Sequence, residues 1–254
     1  MPVDAVTTQN EVDTDQDGRM PACLWGQEYE IAFVSRHLGP QLAKNGLSTK
    51  IWILDHNYNL WGRAICTLDD PGVATYVDGV AWHGYTGTHD MMTRVRDAHP
   101  GKHMYWTEGG PDYTDRAYLT NWARWSTTFT GILRNWARCI IGWNLALDEQ
   151  GRPNIGPFTC GGIVTIDSTT REVTRSGMYW ALVHDSRVIK RGARRFQSEG
   201  SMEKVSHVAF ANSDGSCAAV LTNGGAATTA RLRLAGRAVD VALPADSVTS
   251  LAWR

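Results

Sequence analysis

Two glutamates close apolar runs at positions 97 residues apart: Glu11 after "DAVTTQN" and Glu108 after "KHMYWT". A pair of carboxylates suits cleavage of a glycosidic bond. That reaction needs a proton for the leaving oxygen and a partner for an oxocarbenium-like centre. One Glu kept protonated by its surroundings and one kept ionised would fill the two roles. Other polar groups recur at the same kind of place. Asn10 precedes Glu11, Asp55-His56-Asn57 follows "KIWIL", His83-Gly84-Tyr85 follows "VDGVAW", and Trp143-Asn144 ends "CIIGWN". Parallel strands bring such ends to one face, where barrel enzymes carry their active sites.

Each of these residues also has a purely structural reading. A Glu at a strand end is commonly solvated, and Asp55 could cap a helix or serve as a buried strut. His83 could be a core histidine, Asn10 a turn cap and Trp143 barrel filling. Asp148 and Glu149 read as loop charges.

The elements that must position these groups come in two textures. Up to about Arg175, strand-like runs alternate with helical stretches, which predicts β/α units. The runs are Val3–Thr8, Lys50–Leu54, Val77–Trp82, His103–Thr107 and Ile140–Asn144. Ile31, Val34, Leu38 and Leu42 lie on one helical face, with a break expected at Gly39-Pro40. Thr88–Ala98 is a second helix with Thr88 as N-cap, and Asp115–Trp136 a long third. "SGMYWALVHDSRVIKRG" reads as a linking helix closed by Gly192. From about Val205, short alternating runs recur with turn signals at Asn212-Ser-Asp-Gly and Asn223-Gly-Gly, which predicts an all-β sandwich. The expected division is therefore 1–190, part of a barrel with its linking helix, and 191–254, an all-β domain. Only five β/α strands precede the β-domain, where a complete barrel has eight. An open five-stranded parallel sheet is the structural alternative, although no Gly-rich phosphate loop follows the first strand.

Composition excludes several classes. A formal net charge of −1 gives no field that would draw nucleic acid or an anionic membrane. No apolar run approaches the roughly 20 residues of a membrane helix. Five scattered cysteines without CxxC or Cys/His spacing argue against a complete disulfide framework; one bridge involving Cys23 stays open for a secreted protein, and mostly reduced, buried thiols are the expectation. Eleven tryptophans suit either a Trp-rich core or a cleft with stacking surfaces.

At the quoted residues the chain resembles glycoside hydrolase family 30, the group that includes glucosylceramidases and β-1,6-glucanases. The resemblance runs nearly end to end. In that family an Asn-Glu pair ends the fourth barrel strand and supplies the acid/base, which implies Glu11 in "TTQNE". A Glu ending the seventh strand is the nucleophile, which implies Glu108 in "YWTEGG". The sixth-strand His motif matches His83 in "AWHGY", with Tyr85 in the following aromatic position. "WNLALDEQGRPN" and the "GARR" segment carry the most specific agreement. Val12 stands where the family often has Pro, and the loop "VDTDQDGRMPACLW" is unusually acidic.

The resemblance implies an α/β fold: strands four to eight of a (β/α)8 TIM barrel, with one to three missing, then an antiparallel β-sandwich. It implies a retaining β-glycosidase working by double displacement on a β-linked glycoside such as glucosylceramide, a β-glucoside or a β-glucan. Asn10 would hold the sugar 2-hydroxyl, His83 and Tyr85 would orient Glu108, and Trp143 with Asn144 would face the sugar ring. No metal or organic cofactor is implied. Export is expected, with any signal peptide upstream of Met1. Without its first three strands the chain is expected to be a fragment that is poorly soluble, associates or lacks activity. A non-catalytic carbohydrate-binding protein on the same fold is the alternative.

Overall fold

Long, nearly unbroken apolar strands are the mark of a parallel sheet buried on both faces. Ile51, Ile53, Val80, Trp82, Met104 and Trp106 fit it, each at most 2% exposed. In the computed structural model, which describes residues 2–14 and 21–254, these residues lie in the first of two compact units. Residues 15–20 of the acidic loop lie outside the described residues.

The first unit comprises Met1–Gly109, Asn135–Trp143 and Asn154–Phe158. Its strands are β1 (Ala5–Thr7), β2 (Lys50–Asn57), β3 (Val77–His83), β4 (His103–Glu108) and β5 (Ala137–Ile140), all parallel and in sequence order across one sheet. Helices α1 (Gln27–Phe33), α2 (Gly39–Lys44), α3 (Trp61–Leu68), α4 (Pro71–Tyr76) and α5 (Asp90–Ala98) belong to the same unit.

Several boundaries differ from expectation. The break at Gly39-Pro40 does not occur. A π-helical turn, Val34–Leu38, joins α1 to α2, and Pro40 sits in the first turn of α2 where its missing N–H costs little. Helix α5 starts at Asp90 and not at Thr88, whose hydroxyl bonds the Asp90 carboxylate and does not cap the helix. Strand β5 ends at Ile140, where the strand was expected to begin. Cys23 and Cys66 are exposed free thiols, contrary to the expected burial and, for Cys23, to the bridge left open.

The second unit comprises Gly110–Arg134, Asn144–Pro153 and Thr159–Arg254. It holds α6 (Trp122–Arg134), shorter than the helix expected from Asp115, because the preceding residues form turns. It also holds α7 (Gly177–Ser186), capped by Ser176 and ending well before Gly192. Short strands β6 (Ala146–Leu147), β7 (Val164–Ile166) and β8 (Val173–Arg175) make a small sheet. A second sheet has β9 (Arg194–Phe196), β10 (Val205–Ala211), β11 (Cys217–Asn223) and β14 (Ser247–Trp253), ordered β14-β11-β10-β9 and antiparallel. Strands β12 (Thr228–Leu234) and β13 (Arg237–Leu243) form a hairpin.

Alternation along β10 and β11 builds the sandwich. Ala209, Ala219 and Leu221 pack on one side with Ala230 and Leu243 of the hairpin. Val208, Phe210 and Val220 pack on the other with Leu133, Val188 and Ile189. Asn223-Gly-Gly, expected to turn a hairpin, instead carries the chain from one sheet to the next. The Asn223 amide anchors that crossing by donating to the carbonyls of Ala226, Leu243 and Pro244.

Candidate active site

The groups that could do chemistry converge because the strands of the first unit depart from simple alternation. Ordinarily, neighbouring residues of a strand point to opposite faces. Strand β2 carries a register shift against β3 between Leu54 and His56. Leu54 and Asp55 there have φ of 74° and 46°, a left-handed backbone that non-glycine residues rarely adopt. The distortion lets Asp55 and His56 both contribute to one cluster. Glu11 likewise has a positive φ, 52°, and its N–H is held by the Asp55 carbonyl at 3.0 Å. Backbone strain of this kind gathers at sites that must aim side chains.

A buried carboxylate ties these segments together. Glu30, 1% exposed on α1, accepts from the Thr8 hydroxyl at 2.7 Å and from the Leu54 N–H at 3.0 Å through one oxygen. Its other oxygen accepts from Arg63 of α3 at 3.2 Å. Sequence reasoning missed Glu30 and Arg63. The available signal was an acid beside the apolar stripe of a helix, a place where a charge needs a partner.

His83 lies at the centre, 1% exposed. Its Nδ1 faces Glu11 Oε1 at 3.3 Å. Its Nε2 faces Asp55 Oδ1 at 3.2 Å and Glu108 Oε2 at 3.7 Å. Burial opposes a charge on this ring, but the hydrogen bonds to Asp55 and Glu11 and the charge of Glu108 outweigh it. The imidazole is pushed up to about 9 and is an imidazolium at neutral pH. Asp55 shows the same balance from the acidic side. Burial raises it, but bonds from His83 and from the Thr107 hydroxyl at 2.6 Å hold its carboxyl below the usual carboxylate value.

Glu108 differs. Burial, aided by the nearby Glu11 charge, raises its carboxyl above the usual value, while His83 and the Tyr85 phenol pull against that shift. The Tyr85 hydroxyl donates to Glu108 Oε1 at 3.1 Å. Gly109, next in the chain, has no room for a Cβ, because the Trp106 indole fills that place.

His56 is the member that sequence reasoning noted only as a strand-end residue. Its Nδ1 is buried, has no hydrogen-bond partner among the described residues, and lies 3.9 Å from Glu11 Oε1. Burial holds this imidazole below its usual value, against the pull of Glu11, so it is neutral where His83 is charged.

Of the residues singled out from sequence, the first unit thus gathers Glu11, Asp55, His83, Tyr85 and Glu108 into one cluster. Trp143, half exposed, is tied to the segment after Glu108 by its N–H on the Gly109 carbonyl at 3.0 Å. Asn10 is exposed beside Glu11, and its carbonyl accepts from Gln9. Asn144 belongs to the second unit, where its carbonyl accepts from Ile163 at 2.8 Å.

Such a cluster can place a proton on one side of a substrate and a carboxylate nucleophile on the other. Comparison with known proteins identifies the family. Residues 2–189 match the glycosyl hydrolase family 30 TIM-barrel domain, and residues 192–251 match the family's β-sandwich domain. An endo-1,6-β-D-glucanase of Neurospora crassa is 32% identical over 78% of this chain and 42% of its own length. The lysosomal acid glucosylceramidase of Mus musculus is 28% identical over 86% of this chain and 45% of its own. The solved structure of an endo-β1,6-glucanase superposes with a TM-score of 0.92 at 30% identity, covering 100% of this chain and 58% of that one. The chain spans less than half the length of these curated relatives. With both of its domains matched in order, it belongs to glycosyl hydrolase family 30.

Proposed function

We propose that the chain carries the catalytic centre of a retaining β-glycoside hydrolase acting on β-linked glucosides. Glu108 is the nucleophile and Glu11 the acid/base. The observation that supports this most directly is that both carboxyls reach the same buried imidazole, Glu11 at 3.3 Å and Glu108 at 3.7 Å. Two carboxylates brought this close repel one another. The His83 charge between them lets Glu108 ionise despite burial. Tyr85 donates to the attacking carboxylate, which favours its ionised form.

In the first step Glu108 attacks the anomeric carbon while Glu11 gives its proton to the departing oxygen. The glycosyl ester neutralises Glu108 and removes its repulsion of Glu11. Glu11 then binds its proton less tightly and can serve as base toward water. The relatives' names point to a β-1,6-glucan or a glucosylceramide as substrate. Strands β1 and β5 are the edges of a five-stranded sheet, so full activity is expected from a polypeptide that supplies the other three strands of an eight-stranded barrel.

The test is a 2-deoxy-2-fluoro β-glucoside with an activated leaving group. Mass spectrometry should find the sugar esterified to Glu108, and proton NMR of an early turnover should find the β-anomer released. Label on another residue, or α-product first, would overturn the assignment.

A further inference from the structure

We propose that Glu11, His56 and His83 form a binding site for a borderline divalent cation, of which zinc is the type, and that such a cation competes with the proton at Glu11. The inference goes beyond the glycosidase reading. It rests on ligand geometry and holds even if the chain turns over no sugar.

Three observations carry it. First, one ligand atom from each of these residues lies within 4.8 Å of the others, a grouping found among the described residues. Glu11 Oε1 stands 3.3 Å from His83 Nδ1 and 3.9 Å from His56 Nδ1. A cation about 2.0–2.2 Å from each ligand holds tetrahedral ligands roughly 3.3–3.6 Å apart, a spacing that Glu11 and His83 already have and that Glu11 and His56 reach by a small side-chain rotation. Two imidazoles and one carboxylate with a position left open is a donor set that zinc takes in hydrolases.

Second, His56 Nδ1 is buried and unpartnered among the described residues, on a ring 7% exposed. A buried ring nitrogen without a partner is costly, and a ligand there would satisfy it. Third, the far nitrogen of His83 already faces Asp55 at 3.2 Å. A carboxylate behind a histidine is the outer-shell partner that fixes the ring of a metal ligand and raises its basicity.

Binding replaces the proton between His83 Nδ1 and Glu11. That proton leaves to solvent, and the cation takes one lone pair from each of the three ligand atoms. Nitrogen donors exclude magnesium and calcium, which prefer all-oxygen sites. If Glu11 is the acid/base, an occupied site cannot donate a proton to a leaving group. Zinc then inhibits hydrolysis reversibly, and a chelator restores it.

The probe is cobalt(II) added to the whole 254-residue chain. The expected result is the intense visible absorption of a four- or five-coordinate ion, displaced by zinc and unaffected by magnesium. His56→Asn should remove the band. Asp55→Asn should weaken binding by about 10–100-fold, as loss of an outer-shell partner does. Copper(II) bound to the unaltered chain gives a second measurement that needs no variant. Its electron paramagnetic resonance spectrum should show splitting from two imidazole nitrogens. No cobalt band, a band unchanged in a folded His56→Asn chain, or copper coupled to fewer than two nitrogens would sink the proposal. None of these outcomes bears on the sugar label at Glu108.

Discussion

His83 and Glu108 are paired residues of adjacent parallel strands, brought level by an irregularity that skips Thr107. The register runs Trp82 with Trp106, then His83 with Glu108, and the Gly84 N–H closes on the Glu108 carbonyl at 3.0 Å. Thr107, left over, turns its hydroxyl to Asp55 and so fixes the other side of the imidazole. The irregularity thus places the charged ring, its carboxylate support and the proposed nucleophile together.

If Glu11 is the proton donor, Glu11→Ala should cost natural glucosides about 10²–10⁴-fold in kcat/KM. Aryl glycosides whose leaving groups need no proton should lose far less. Equal losses on both substrate types, measured side by side, would remove Glu11 from the role.

Tyr85→Phe deletes a single donor to Glu108. A hydrogen bond to a charged group contributes about 1.5–3 kcal/mol, so the glycosylation rate should fall roughly 10–100-fold. Pre-steady-state kinetics with an activated substrate isolate this step, and an unchanged rate would show that the phenol does not support the attacking group.

Glu30→Gln should destabilise the first unit. Breaking a buried ion pair from one side costs about 3–5 kcal/mol, because the other charge stays buried. Arg63, 12% exposed at its side chain, would be left with that charge. Thermal melts of E30Q, R63M and the double variant check this. The double variant should recover much of the loss, and simple additivity would argue against the pairing.

Asp185 on α7 has a buried oxygen with no partner among the described residues, and burial pushes its carboxyl up to about 7. The native state therefore keeps a proton that the unfolded chain releases near pH 4. The associated stability is full below about pH 4 and falls by roughly 1.4 kcal/mol per pH unit up to about pH 7, beyond which it is flat. Asp185→Asn should remove this slope, so the variant gains on the wild type between pH 5 and pH 8. Denaturant midpoints that run parallel over that range would contradict the assignment.

Much of the cluster could be read from the sequence. Glu11, Asp55, His83 and Glu108 each follow an apolar run, and a parallel sheet brings such ends together whatever lies between. Irregularity in the strands was hidden. Strict alternation sends His56 and Thr107 away from Asp55 and Glu108, and nothing in their residue types announces a shifted register. Strand β5 was misplaced for a related reason. Ile141 and Trp143 look like ladder residues, yet they stand 48% and 49% exposed beyond its end. An apolar side chain exposed beyond a strand's end has the same signature in the sequence as one held in for the core.

The shifted register in β2 has an evolutionary corollary. Because Asp55 and His56 share one cluster through a single surplus residue, a one-codon deletion there would swing one of them to the far side of the sheet. Lineages could thereby lose either the imidazolium's support or the second imidazole while keeping every other residue of the cluster. Relatives that differ in length at this point, rather than in residue type, are where altered chemistry on the same barrel should be sought.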